Sequence, residues 1–516
     1  MKKQLALLTA LLIALTLSPF SGSAESAAKN VSLDTVFAEG GTLRLVPADL
    51  PGKPGDEWIP VDLSPDGKTV LWRNNNNLAL SRPGETIPVT FTAERGVGDP
   101  YEKARKINIS LNRFPAWEGL SWSADGRYVA LSDLETARQF ASSPYVPDAQ
   151  VLDTESGELY LVDSYNPNLL KGDAGTVLLN RVDRKGQYLY YLVQEYLFSN
   201  QEDHPFTNIL RFCRCPAEGG SREILCETIL DENKPYYVYY HSTLYEAADG
   251  SWLLTGCTAD PDNKGREQLA IVRFSPSGDG WTQEIFSLHI PFRILQFYMP
   301  FEFADSGYGL CALFGNETSG GIFYNSEKYE TSILSGMARH AALLRIKPGN
   351  SMPCDVWYLM RSDDTVKLVS GEDFLYRLKA ETGLISPDDE QAQSEEAREV
   401  YEKSDAKTYD LEIHQITLAE QSLLRPTCVC ISPDGYYALV NAGIDGQYRL
   451  YMVDIRAMEI LPVEAPEGIG SSSLSGSVLG KGYMPGMIWN EGGTLLIRNS
   501  ENTAETVVQS FRLAVD

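Results

Sequence analysis

"CISPDGYYALV", residues 430–440, places an Asp-Gly pair between two apolar runs. Such a pair is the strongest short-range hairpin signal, because glycine takes positive φ at no steric cost. The chain says nearly the same thing twice more, as "DLSPDGKTVLW" at 62–72 and "SWSADGRYVAL" at 121–131. One copy predicts a hairpin; three predict a repeat architecture.

With the turn glycine as anchor, the series is Gly67, Gly126, Gly186, Gly250, Gly307, Gly435 and Gly493. The successive gaps are 59, 60, 64, 57, 128 and 58 residues. The long gap suggests an eighth, degraded copy, "LMRSDDTVKLVS" (359–370), with Asp364 in the glycine's place. Three and four residues after the anchors stand Val70 and Leu71, Val129 and Ala130, Leu189 and Tyr190, Leu253 and Leu254, and so on to Leu496 and Ile497. Only the degraded copy puts a charge there, at Lys367. Adjacent apolar positions mark a strand buried on both faces.

A later strand also recurs, as in "GELYLVDS" (157–164), "LAIVRFSP" (269–276) and "RLYMVDIR" (449–456). Each unit therefore reads as about four short strands. Sheets set radially about a channel bury both faces against their neighbours, so the fold class expected is all-β, a β-propeller. Eight four-stranded blades are expected, or seven if the Asp364 unit is only an elaborate loop. The last unit has one strand too few, and "GTLRLVPADL" (41–50) is spare. It is expected to pair with the 505–514 strand, closing the ring and hiding an edge.

The quoted copies resemble the W-S-P-D-G-x-x-[IV]-A-[FL] signature of TolB-like, WD-repeat-like propellers. The resemblance runs from about residue 40 to 516, strong in three copies and weak elsewhere. It implies an extracytoplasmic propeller whose usual work is binding or scaffolding. It carries no ligand across, since the motif builds the blade.

The rest of the chain bounds the function. Lys2 and Lys3, an apolar run from Leu5 to Leu17 and small residues up to Ala24 read as a secretory signal cleaved after residue 24. Residues 25–40 read as a linker, and 41–516 as one propeller domain with a helical insertion at 386–407, opened by Ser386 and Pro387. The expected location is secreted or otherwise extracytoplasmic, with no membrane span after signal removal. The formal charge of −26, from 44 basic and 70 acidic residues, argues against a nucleic-acid partner. The eight cysteines read as buried thiols, Cys213 with Cys215 and Cys428 with Cys430 each on one strand face. Cys215 and Cys226, flanking "PAEGGS", are the one pair whose spacing invites a disulfide test.

No motif for chemistry stands out. There is no G-x-S-x-G elbow, no phosphate loop with its magnesium-holding hydroxyl, and no cofactor fingerprint. The five histidines form no metal-ligand pair, and no metal or cofactor is expected. The expected function is a non-catalytic propeller binding a protein or glycan ligand at one mouth of its channel. The alternatives are a channel-sited lyase or hydrolase, or a structural subunit of envelope assembly. The expected site comes from the repeat register. Nine residues before the anchors stand Trp58, Trp117, Val177, His241, Tyr298, Asp355, Pro426 and Met484. "KPYYVYYHS" (234–242) adds Tyr236 and Tyr237 beside His241. Aromatic faces suit sugar rings and peptide side chains, so Trp58, Trp117, Tyr236, Tyr237, His241 and Tyr298 are the candidate ligand-binding residues.

Overall fold

The structure is a computed structural model that describes residues 33–74, 77–91, 120–131, 149–163, 174–198, 206–230, 236, 238, 242–259, 267–278, 280–288, 302–313, 342–362, 365–371, 423–444, 447–470, 486–502 and 505–515. It is built from antiparallel strands, and each anchor glycine marks one four-stranded set. The Gly186 set is typical: Ala174–Val182, Tyr188–Phe198, Phe206–Pro216 and Glu223–Ile229 pair in chain order. The Gly67, Gly250 and Gly435 sets follow the same order. So does the Gly126 set, where Thr90–Phe91 also pairs in parallel with the fourth strand, Glu158–Asp163.

The turn chemistry explains the motif. At Gly67 the Ser64 hydroxyl donates to Asp66 (2.7 Å) and accepts from the Thr69 amide (2.9 Å). Asp66 in turn accepts the Lys68 amide at 3.0 Å. Ser123 with Asp125, and Ser432 with Asp434, repeat the arrangement. Each turn satisfies its own backbone and requires a left-handed glycine: φ is +70° at Gly67, +73° at Gly126 and +75° at Gly435. A Cβ on Gly126 would lie 3.2 Å from Ser64, and one on Gly186 3.2 Å from Ser123. Each of these turns therefore sits on the turn before it. Asn490, in the Gly493 turn, donates to the Ser64 carbonyl at 3.1 Å, joining the last set to the first.

The strand after each turn is buried on both faces, as the paired apolar positions require. Val70, Leu71, Val129, Ala130, Leu189, Leu254, Leu310, Cys311, Ala438, Leu439, Leu496 and Ile497 are all 0 % exposed. Clusters of these side chains fill the spaces between consecutive sheets. The fourth strands alternate toward solvent instead, as in Glu223–Ile229 and Gly280–Ser287. Four-stranded sheets whose first strands line one cavity, described below, are the arrangement of a β-propeller.

Leu43–Pro47 pairs antiparallel with Glu505–Val515, from Leu43 opposite Val515 to Pro47 opposite Phe511. On its other side it runs parallel to Glu459–Glu464. One sequence expectation needs correction. The 359–370 stretch is not the central hairpin of a unit of its own. Its first part belongs to Cys354–Ser362, the fourth strand of the Gly307 set, and Thr365–Ser370 folds back onto that strand. Within the 25–40 segment, Leu33–Glu39 is a helix. Asp34 accepts from the Tyr437 hydroxyl (2.5 Å) and from Arg456 (2.8 Å), and the Phe37 ring stacks on Tyr437 at 5.6 Å.

All eight cysteines are free, with Cys213, Cys215, Cys428 and Cys430 buried, so Cys215 and Cys226 are not bridged. Across the sheet Cys226 faces Phe212 rather than Cys215. The insertion at 386–407 and the signal segment lie outside the described residues. Among the described residues no helix is long and apolar enough to cross a membrane.

Candidate functional site

First strands from seven sets converge on a cavity of about 320 Å³. In every set the lining includes residues four to six before the anchor: Asp62, Ser121, Arg181, Tyr245, Glu302, Cys430 and Ile488 all stand five before it. Trp122 and Trp489, four before their anchors, add aromatic walls.

Arg181 is the central cation. Its Nε donates to the Leu244 carbonyl (3.1 Å) and its Nη1 to that of Leu120 (3.2 Å), so it ties together the first strands on either side of its own. Asp62 accepts from the Leu63 amide (2.7 Å) and from the Trp122 indole N–H (3.0 Å). Burial pushes the Asp62 carboxyl up to about 6, against the pull of those two donors and of Arg181. Glu302 is enclosed on a wall whose neighbours include the Cys311, Cys428 and Cys430 thiols. Burial raises it to about 7, with the Arg181 charge opposing.

One side of the cavity is braced by a charged clasp. Arg184 pairs with Asp305 across the Gly250 set, and the Tyr245 hydroxyl donates to the same carboxylate at 2.8 Å. The Arg184 amide donates to Glu246 at 2.8 Å. Among the described residues no group of three or more His, Cys, Asp or Glu side chains is placed to hold a metal ion.

Asp62 and Glu302 make stability depend on pH. Their folded pKa values lie above the unfolded ones, so the folded state binds more protons. Their contribution to stability is fully present below about pH 4 and is lost as pH rises through about 6 and then 7. Glu302→Gln is expected to flatten this fall between pH 5 and 8, read from urea midpoints. A fall of unchanged slope in that variant would assign it to other groups.

Of the six expected site residues, the structure describes Trp58 and Tyr236. Trp58 is half-buried against the cluster of Leu63, Val70, Trp72 and Leu496, and is not part of the cavity lining. Tyr236 is 1 % exposed between the Gly186 and Gly250 sheets, with its hydroxyl on Gln283 at 3.3 Å, so it is core rather than mouth. Trp117, Tyr237, His241 and Tyr298 lie outside the described residues. Val177, in the same register, is buried between sheets, and Asp355 is held by Arg345 on a third-strand neighbour at 2.7 Å. The physical reason is a set of bulges. The first strands shift register between Pro60 and Asp62, between Val177 and Leu179, and between Pro426 and Cys428. Each shift breaks the period-two alternation, so side-chain direction cannot be counted back nine residues from the turn. Five residues back, Asp62, Arg181 and Glu302 put charge into strands that are otherwise apolar. That signal was present in the sequence.

No family model and no curated protein sequence matches the chain. Among solved structures it is similar to an oligogalacturonate lyase from Vibrio parahaemolyticus, with 11 % identity, 92 % of this chain and 98 % of that one covered, and a TM-score of 0.38. It is similar also to the β-propeller domain of the trilobed protease from Pyrococcus furiosus (9 %, 89 % and 98 %, 0.37). A third likeness is to the β-propeller domain of Cps50 (Swd1) from Myceliophteria thermophila (9 %, 90 % and 99 %, 0.36). At scores this low, the description of the fold rests on the strand pairing itself.

Proposed function

We propose that this chain is a closed, seven-bladed β-propeller, exported from the cytoplasm, that binds a glycan or peptide without transforming it. The observation that carries the reading is the cavity itself. The first strands converge there with one guanidinium group, three carboxyls and two indole rings, the mix of apolar wall and few polar groups that small ligand sites use. The Lys2–Lys3 and Leu5–Leu17 leader supports export. Binding is tested with peptide and glycan arrays. Trp489→Ala is expected to weaken capture by the folded chain about tenfold, the loss typical of an aromatic anchor, with some fall in melting temperature because the ring also packs on the core. Capture that survives both Trp489→Ala and Trp122→Ala would place the ligand elsewhere.

A second reading has one observation in its favour. Two carboxyls raised toward neutrality in one cavity are what a general acid requires. On that reading the chain is a lyase or hydrolase, and Glu302→Gln would abolish product formation from oligosaccharide or peptide pools. Absence of any product with the intact chain would leave the binding reading alone.

A further inference from the structure

We propose that the cavity seats the cationic side chain of a peptide, a lysine or an arginine, against Glu302. This rests on the reading of the cavity as a binding site and names what it binds.

The argument begins with charge. The lining holds three carboxylates, Asp62, Glu246 and Glu302, against two guanidinium groups, Arg181 and Arg184. Arg184 is committed to Asp305, and Arg181 gives two of its nitrogens to main-chain carbonyls. Asp62 and Glu246 each accept hydrogen bonds from the protein. Glu302 is different: the described residues give its carboxylate no hydrogen bond, and Phe303 and Cys430 line the same cavity. A carboxylate placed so gains most from a cation that brings its own donors.

Shape agrees with charge. About 320 Å³ admits a long side chain rather than a folded segment. Ile488 and Phe303 offer apolar surface to a methylene stem, and Trp122 and Trp489 offer ring faces to the charged end. The chain's net charge of −26 draws cations toward it and opposes anionic sugars.

The test uses calorimetric titration with N-acetyl-Gly-Lys-Gly-amide, its glutamate counterpart and maltotriose, from pH 5 to pH 8. The groups facing Glu302 fix the expected sign. Arg181 and Arg184 stay charged throughout, while burial keeps Tyr245 and Cys430 neutral. Asp62, pushed up to about 6, ionises below Glu302, and burial raises Glu246 as well, so the negative charge facing the cation grows as pH rises. The lysine peptide is therefore expected to bind about tenfold more tightly at pH 8 than at pH 5, the effect of about one unit of linked ionisation. Glu302→Gln should lose that gain while its melting temperature stays at or above the parent's.

Binding of the glutamate peptide that strengthens as pH falls would overturn the cationic seat and leave the cavity a binding site. So would binding of maltotriose alone, or lysine-peptide binding indifferent to Glu302→Gln. Binding of none of the three probes would overturn this inference, and failure on the wider arrays as well would remove the reading beneath it.

Discussion

A chain lacking residues 33–50 is expected not to yield a soluble, cooperatively folding monomer. Leu43–Pro47 lies between two strands and hydrogen-bonds along both, so its removal bares the edge of Glu505–Val515 and that of Glu459–Glu464 together. Leu43 is 0 % exposed, Leu45 4 % and Val36, on the docked helix, 3 %. Losing these three buried side chains costs about 5 kcal/mol or more at roughly 1.5–3 kcal/mol each. That rivals the whole stability of an ordinary domain, about 5–15 kcal/mol. Two bare edges then template association between molecules. Size-exclusion chromatography with a thermal melt checks this. A monomer melting within about 5 °C of the intact chain would show that the clasp is ornamental.

The second large effect is expected at a single atom. Gly435→Ala adds a Cβ that would collide with the Ala304 methyl and lie 2.5 Å from the Ser306 hydroxyl of the neighbouring set. That hydroxyl donates to the Gly435 carbonyl at 2.9 Å, so neither side can retreat without breaking the contact. Left-handed strain costs about 1–2 kcal/mol for a residue with a side chain. Overpacking adds about 1–3 kcal/mol, for a total of about 2–5 kcal/mol. Gly250→Ala is the control. Its φ is +80°, yet a Cβ there meets nothing within 4 Å, so only the strain of about 1–2 kcal/mol remains. Urea midpoints of the two variants compare them directly. Equal losses would mean that the contact between neighbouring turns contributes nothing.

These two cases show what was legible in the sequence. The hairpin turn and the doubly buried strand are local, so Ser64, Asp66, Gly67, Val70 and Leu71 declare them within eight residues. The pairing of Leu43–Pro47 with Glu505–Val515 was legible by subtraction, because the last unit lacked a partner and 41–50 had none. The 359–370 stretch misled because "SDDT" can turn any hairpin, including one between outer strands. The cavity was harder for a different reason. It is assembled from seven distant segments, and bulges near Asp62, Val177 and Pro426 change which face each first strand shows. The tyrosine-rich stretch around Tyr236 reads like an exposed aromatic platform. One of its rings is in fact buried, since a phenol with one hydrogen-bond partner can be buried as readily as displayed.

The clasp also sets an order of events. Leu43–Pro47 is made among the first described residues, and the strand it pairs with among the last. At about 5–20 residues per second, roughly half a minute or more of synthesis separates them. Through that interval Leu43 and Leu45 have no native place to go. The cavity waits as well, because Met487, Ile488 and Trp489 on its wall belong to the sheet that this pairing completes. A nascent chain with all its other sheets formed would still hold no complete cavity, so the cavity closes only with the final strand.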